Sequence, residues 1–232
     1  MFYRTAALAA ALFIAGPAAA QDWSGEGELG LSVTTGNTET ENLNARLRAS
    51  RSEGPWTNSG SLELLRESEN GETSAERYLL ILKSAYDWSE RNYGFGSLRY
   101  DDDRFSGYQY QVSLTGGVGR HFIRTERTKL DIEFGPGYRA SETDDGTTHE
   151  EAILHGNLDF THQLTETTTV LETFLVEAGD ANTHVESETG LKVAINSRLA
   201  MKTAFKVKHN SEVEPGREKT DTITSVNLVY GF

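Results

Sequence analysis

The sequence predicts an all-β protein, an antiparallel transmembrane β-barrel of twelve strands with both termini on the periplasmic side. Three observations lead there. Apolar and polar residues alternate with period two along nearly the whole chain, an export leader precedes the first such segment, and aromatic residues gather where the segments end.

The leader occupies residues 1–20. Arg4 supplies a short positive region, residues 5–15 are almost wholly apolar, and Pro17 with Ala18, Ala19 and Ala20 forms a small-residue cleavage site, so maturation is expected near Gln21. The apolar run is shorter than the roughly 20 residues a membrane-crossing helix needs. The chain has no Cys, which excludes a lipid-anchored lipoprotein and the disulfide-stapled secreted classes. A signal peptide, 1–20, followed by one barrel domain, 21–232, is the expected organisation. With 22 Lys and Arg against 35 Asp and Glu, the formal charge is −13, and removing Arg4 makes it one unit more negative. That balance argues against nucleic acid or a broad anionic lipid surface as the main partner.

Twelve segments carry the alternation: 24–35, 41–52, 57–67, 73–88, 92–101, 107–122, 127–140, 148–162, 167–179, 184–196, 200–210 and 219–232. In the second, Leu43, Ala45 and Leu47 oppose Asn44, Arg46 and Arg48. In the seventh, Leu130, Ile132 and Phe134 oppose Asp131 and Glu133. In the last, Val226, Leu228, Tyr230 and Phe232 oppose Ser225, Asn227 and Gly231. Two segments are poorly phased. Tyr93-Gly94-Phe95-Gly96 fits either face, and the ninth strand puts Glu172 on its more apolar face. The even count suits a single-chain bacterial barrel.

The joints alternate in kind. A short set (53–56, 89–91, 123–126, 164–166, 197–199) is expected on the periplasmic side. A longer, hydrophilic set, including Asp101 to Arg104, Glu142 to Gly146 and Ser211 to Glu218, is expected outside. Trp23, Trp56, Trp88, Tyr93, Phe122 and Phe232 form the predicted periplasmic girdle, with Tyr100, Phe105, Tyr108 and Tyr138 near the other rim.

Period two alone does not separate a membrane barrel from a soluble barrel or sandwich. Strand length, few charges on the apolar faces and mixed charges opposite them favour the membrane. The predicted lumen residues are Glu28, Arg46, Arg48, Glu63, Arg77, Lys83, Arg99, Asp131, Glu133, His155, Asp159, Glu188, Lys202 and Lys206. Either they pair across a narrow interior, or they line an aqueous channel.

Chemistry is weakly signalled. His155 is expected in the lumen near Asn157 and Asp159. A lipid-ester hydrolase would need a Ser in hydrogen-bond reach of such a base, and spacing ties none to it. Asp101-Asp102-Asp103 reads as a solvated acidic loop rather than a calcium loop, whose ligands are spaced. No catalytic residue, metal site or cofactor is assigned.

The opening Trp23 to Thr38, WSGEGELGLSVTTGNT, and the closing Pro215-Gly216 loop before Lys219-Thr220-Asp221-Thr222 resemble the DUF481 family of outer-membrane proteins, often labelled salt-stress-induced. The resemblance covers nearly all of residues 21–232. It implies an outer-membrane barrel of a Gram-negative bacterium and carries no catalytic motif onto this chain. By likeness to outer-membrane barrels, Tyr230 and Phe232 form the terminal signal read by the barrel-insertion machinery, with periplasmic chaperones and outer-membrane lipids as the other expected partners and a monomer as the expected state. The expected function is a small passive channel linked to envelope or salt-stress adaptation. A structural or surface-interaction barrel with an occluded lumen is the alternative, and a lipid-modifying enzyme the third class.

Overall fold

The computed structural model describes residues 23–35, 40–69, 72–103, 108–213 and 218–232. The expected leader and Phe105 lie outside them. The twelve strands are β1 (Trp23–Thr35), β2 (Thr40–Glu53), β3 (Trp56–Glu69), β4 (Glu72–Asp87), β5 (Asn92–Asp103), β6 (Tyr108–Arg124), β7 (Thr128–Thr143), β8 (Thr148–Gln163), β9 (Thr168–Gly179), β10 (Thr183–Ala194), β11 (Leu199–Asn210) and β12 (Thr220–Gly231). Each pairs antiparallel with its neighbours in sequence, and β1 pairs with β12 to close the barrel. Closure matters because an open edge would leave unpaired N–H and C=O groups in hydrocarbon.

The register keeps like faces together. Leu29 lies opposite Leu228 on one side and Ala45 on the other, while Glu28 lies opposite Val229 and Arg46. The seam is finished by the last residue: Phe232 and Gly25 exchange backbone hydrogen bonds of 2.9 and 3.0 Å. A Cβ on Gly25 would meet the Phe232 ring at 2.5 Å, so the terminal ring occupies the space that this glycine leaves.

The barrel is inverted relative to a protein folded in water. Leu29, Leu47, Leu82, Leu114, Phe134, Leu154, Phe205 and Leu228 are exposed on its outside. Glu28, Arg77, Arg99, Asp101, Glu133, Arg139 and Lys202 are buried inside. Water would reward the opposite arrangement by about 25 cal/mol per Å² of apolar surface removed from it. A soluble barrel or sandwich is therefore ruled out on physical grounds, and a lipid surround accounts for the exposed belt. The strands, 12 to 17 residues long, exceed the roughly 9–11 needed to cross.

Trp23, Trp56, Trp88, Phe122 and Phe232 are exposed at the terminal rim, where β1 begins and β12 ends. Trp56 packs edge-on against Tyr86, with ring centroids 4.9 Å apart. Tyr93 departs from the expected girdle. It points inward, is buried, and donates its hydroxyl to Glu133 Oε1 at 2.8 Å. Gly119, its register partner on β6, makes this possible, because a Cβ there would sit 2.2 Å from the Tyr93 ring. Gly119→Val is accordingly expected to cost about 1–3 kcal/mol by overpacking, measured by urea unfolding in detergent or lipid. An unchanged midpoint would mean that the ring is free to leave the lumen.

Three further expectations are corrected. Tyr108, which strict alternation sets with Tyr110, Val112 and Leu114 on the outer face, points inward instead, because a bulge sets Gln109 and Tyr110 against a single residue of β5 and reverses the alternation. Asp101 to Asp103 are not a solvated loop. β5 continues to Asp103, so Asp101 and Asp103 are buried in the lumen. The joints at the two rims differ little in length: those at the terminal rim have two to four residues, and of those opposite only Ser211 to Lys219 is longer than four. Gly54, with φ +57°, opens the Gly54-Pro55 hairpin between β2 and β3 in the left-handed region that favours glycine. In the β7–β8 turn, the Thr143 hydroxyl at 2.5 Å and the Thr147 N–H at 2.9 Å donate to Asp145 and hold its carboxyl below its ordinary range.

Glu172 lies on the outer face of β9. Ser187 Oγ donates to it at 2.8 Å and the Thr189 hydroxyl donates to its other oxygen. Two hydroxyls from β10 thus satisfy a polar group that the apolar belt would otherwise penalise.

Candidate functional site in the barrel lumen

Alternation sends every second side chain of each strand inward, and all fourteen predicted lumen residues share the inward parity of their strands. What the structure adds is who meets whom. Arg77 on β4 donates Nε and Nη2 to Asp101 on β5 at 2.9 and 2.8 Å. The same Nη2 reaches Glu186 on β10 at 2.7 Å. Arg99 on β5 donates to Asp101 at 2.7 Å and Glu186 at 2.8 Å. Lys208 on β11 pairs with Asp103 on β5. In the ring of twelve, β4 and β10 are six positions apart, as are β5 and β11. These contacts therefore join opposite walls.

A second tier crosses nearby. Arg46 on β2 grips Glu188 on β10 with two parallel bonds of 2.9 and 2.7 Å. Its Nε lies 2.8 Å from Glu63 on β3. Lys206 lies 3.4 Å from both Glu63 and Glu186, and Lys202 donates to Glu188 at 2.7 Å and to Glu28 at 3.3 Å. The forked guanidinium suits these roles because it presents donors in a plane to several carboxylates at once. Buried charges need such neighbours, since an unpaired one costs several kcal/mol.

The pairs form a septum from β4 and β5 to β10 and β11. A cavity of about 60 Å³ remains on the β1–β3 side, lined by Asn44, Arg46 and Ser225 among others. A larger one, of about 230 Å³, extends toward β6–β9 and is lined by Thr115, His155, Asp159 and Glu177 among others. Nearer the terminal rim, Arg48 and Lys192 hold Glu26 at 3.2 and 3.1 Å, and His121 Nδ1 lies 2.6 Å from Asp131. Toward the opposite rim, Arg139 donates to Glu151 and to the Asn182 carbonyl, and Asn182 donates to Asn210 at 3.0 Å.

His155 is buried, as Asp159 is not, and its hydrogen-bond partner is Glu177 at 3.4 Å rather than Asn157 or Asp159. Ser113 Oγ also donates to Glu177, at 2.9 Å. The carboxylate thus stands between the serine and the histidine, whereas a nucleophile needs the base as its direct partner. Asn157 donates instead to Asp159, at 2.8 Å.

Sequence reasoning missed Glu177, Asp101, Asp103, Arg139, His184 and Tyr93 as lumen groups. For β5 a signal existed: Tyr93, Arg99, Asp101 and Asp103 have one parity, so an inward Arg99 implies the other three in an unbroken strand. The partners across the bore, such as Arg77 and Glu186, leave no such trace.

The closed, lipid-belted, polar-cored barrel is the architecture of outer-membrane β-barrels. Solved structures share it. The NanC porin matches with a TM-score of 0.61 at 9% identity, covering 88% of this chain and 98% of that one. The translocator domain of the autotransporter NalP from Neisseria meningitidis matches at 0.54 and 13%, covering 91% and 88%. The KdgM porin in complex with disordered oligogalacturonate matches at 0.50 and 10%, covering 89% and 99%. These likenesses are of fold. The chain itself belongs to the family described as "Protein of unknown function, DUF481", which matches over residues 27–232. It is similar to the uncharacterized protein YdiY of Escherichia coli (strain K12), 32% identical over 166 residues, which are 71% of this chain and 66% of that protein, just under two thirds of its length.

Proposed function

We propose that this barrel is a narrow outer-membrane channel that passes water and small inorganic ions and excludes larger solutes. The observation that carries the reading is the ion-paired septum, in which Arg77 and Arg99 reach Glu186 across the full width of the lumen. A general porin needs an unobstructed aqueous bore. Here the bore is crossed by side chains that hold one another, with cavities of about 60 and 230 Å³ beside them. The porin-like fold supports the membrane setting, and the wiring of His155 supports a non-enzymatic role. Assembly through the insertion machinery at Tyr230 and Phe232, chaperone escort, a monomeric state and a link to envelope or salt-stress adaptation are part of the same reading.

Purified, heat-modifiable barrel in planar bilayers is expected to show small unitary currents in KCl. In liposome-swelling assays it is expected to admit no sugars. Sugar entry at the rate of a general porin would mean that the septum does not close the bore. Silence in KCl would favour the occluded structural or surface-interaction barrel, the second reading, which the same cross-barrel pairs support.

A further inference from the structure

The two cavities beside the septum differ in size and in charge. Among the described residues, six carboxylates and four Lys or Arg side chains line the larger cavity, a net of −2 before His155 is counted. The compensation is uneven. Glu186, Glu188 and Glu63 are tied to the arginines and lysines of the septum. Toward β7–β9 the partners are weaker. Asp159 is held by Asn157, Asp131 by His121, and Glu177 by Ser113 and His155. Asp131 and Asp159 are moreover register partners on adjacent strands, so two carboxylates lie side by side on the wall. Like charges so placed destabilise one another unless a cation comes between them.

The same lobe already shelters an ammonium group. Lys83 Nζ pairs with Glu133 and stands 5.6 Å from the centroid of the Phe95 ring. Its side chain remains about a quarter exposed. A carboxylate beside an aromatic face stabilises a small cation by charge and by the ring quadrupole together. Lys83 therefore demonstrates, with its own side chain, which kind of ion this place accepts. Because its tether is flexible and its head partly solvated, the ammonium can swing aside without unfolding anything.

Resting on the small-ion channel reading, we infer that the larger lobe, lined by Lys83 of β4 and, away from the septum, by residues of β5 to β9, is the ion path, that it selects monovalent cations, and that the Lys83 ammonium is a tethered cation which passing ions displace. Glu133, Asp159 and Glu177 supply the attraction. The smaller lobe is pinned by Arg46 and Glu188 and takes no part.

The test uses the full-length folded barrel in planar bilayers under a KCl gradient, with folding of each variant checked by heat-modifiable migration. The parent reversal potential is expected on the cation-selective side. Lys83→Met should raise the potassium-to-chloride permeability ratio severalfold, and Lys83→Arg should leave it near the parent value. Asp159→Asn combined with Glu177→Gln should bring the ratio toward one. Asn44→Lys, which adds charge to the smaller lobe, should not change it. Anion selectivity of the parent, an unmoved ratio in the Lys83→Met and double variants, or a shift with Asn44→Lys would overturn the inference while leaving the channel intact. Absence of any current overturns the channel reading and this inference with it.

Discussion

Replacing Glu186 by alanine is expected to destabilise the folded barrel by about 3–5 kcal/mol, the cost of removing one partner from a buried ion cluster. Glu186 Oε1 accepts from Arg77 at 2.7 Å and from Arg99 at 2.8 Å, and His184 Nε2 lies 3.3 Å away. Its other oxygen is 3.4 Å from Lys206. Alanine would leave two buried guanidiniums short of their shared anion, and Asp101 does not neutralise both. Glu186→Gln keeps an acceptor oxygen and loses only the charge, so a smaller loss is expected. The magnitude measures the penalty of stranded cations, not the worth of the cluster, since well-packed apolar replacement of a whole buried ion group is often neutral or better. Reversible urea unfolding in lipid or detergent reads the effect. A change under about 1 kcal/mol, the range of solvated surface pairs, would show that water bathes the septum and that it does not close the bore. Unitary current should rise in the same variant as the central bridge is lost.

Leu114→Arg is expected to cost about 2–4 kcal/mol in a bilayer, the range for Arg or Lys near the midplane of a barrel's lipid face. Leu114 is 63% exposed on the outside of β6, beside exposed Leu98 of β5. In water such a substitution at an exposed site would fall within about ±0.5 kcal/mol. The two settings thus predict different outcomes for one change, and the charge of the side chain is the probe. Glu126→Arg, in the joint after β6, supplies the contrast, with an expected cost of about 0–1 kcal/mol near the interface. Equal, negligible effects at both positions would remove the membrane from the interpretation of this fold.

Most of the barrel was legible because β-structure writes its geometry locally. Side chains alternate with a period of two, so a sequence such as Leu130-Asp131-Ile132-Glu133-Phe134 states which face is which before any partner is known. The expected strand limits fall within a few residues of the observed ones for the same reason. Tyr93 was misplaced because Gly94 and Gly96, which follow it, carry no phase, although Arg99 further along the strand does. Tyr108 was misplaced because a bulge reverses the phase, and the residues around it do not announce the bulge.

The sequence by itself determined the number of strands, their inward and outward faces and the charge type of the lumen, because each follows from neighbours along one strand. Only the tertiary structure decided that Arg77 would find Glu186, 109 residues away, and that cavities of unequal size would lie beside the septum. Strand order in the closed ring and the register of twelve successive pairings place those groups opposite one another. Alternation reports the face on which a charge lies, and carries no information about the charge that waits across the bore.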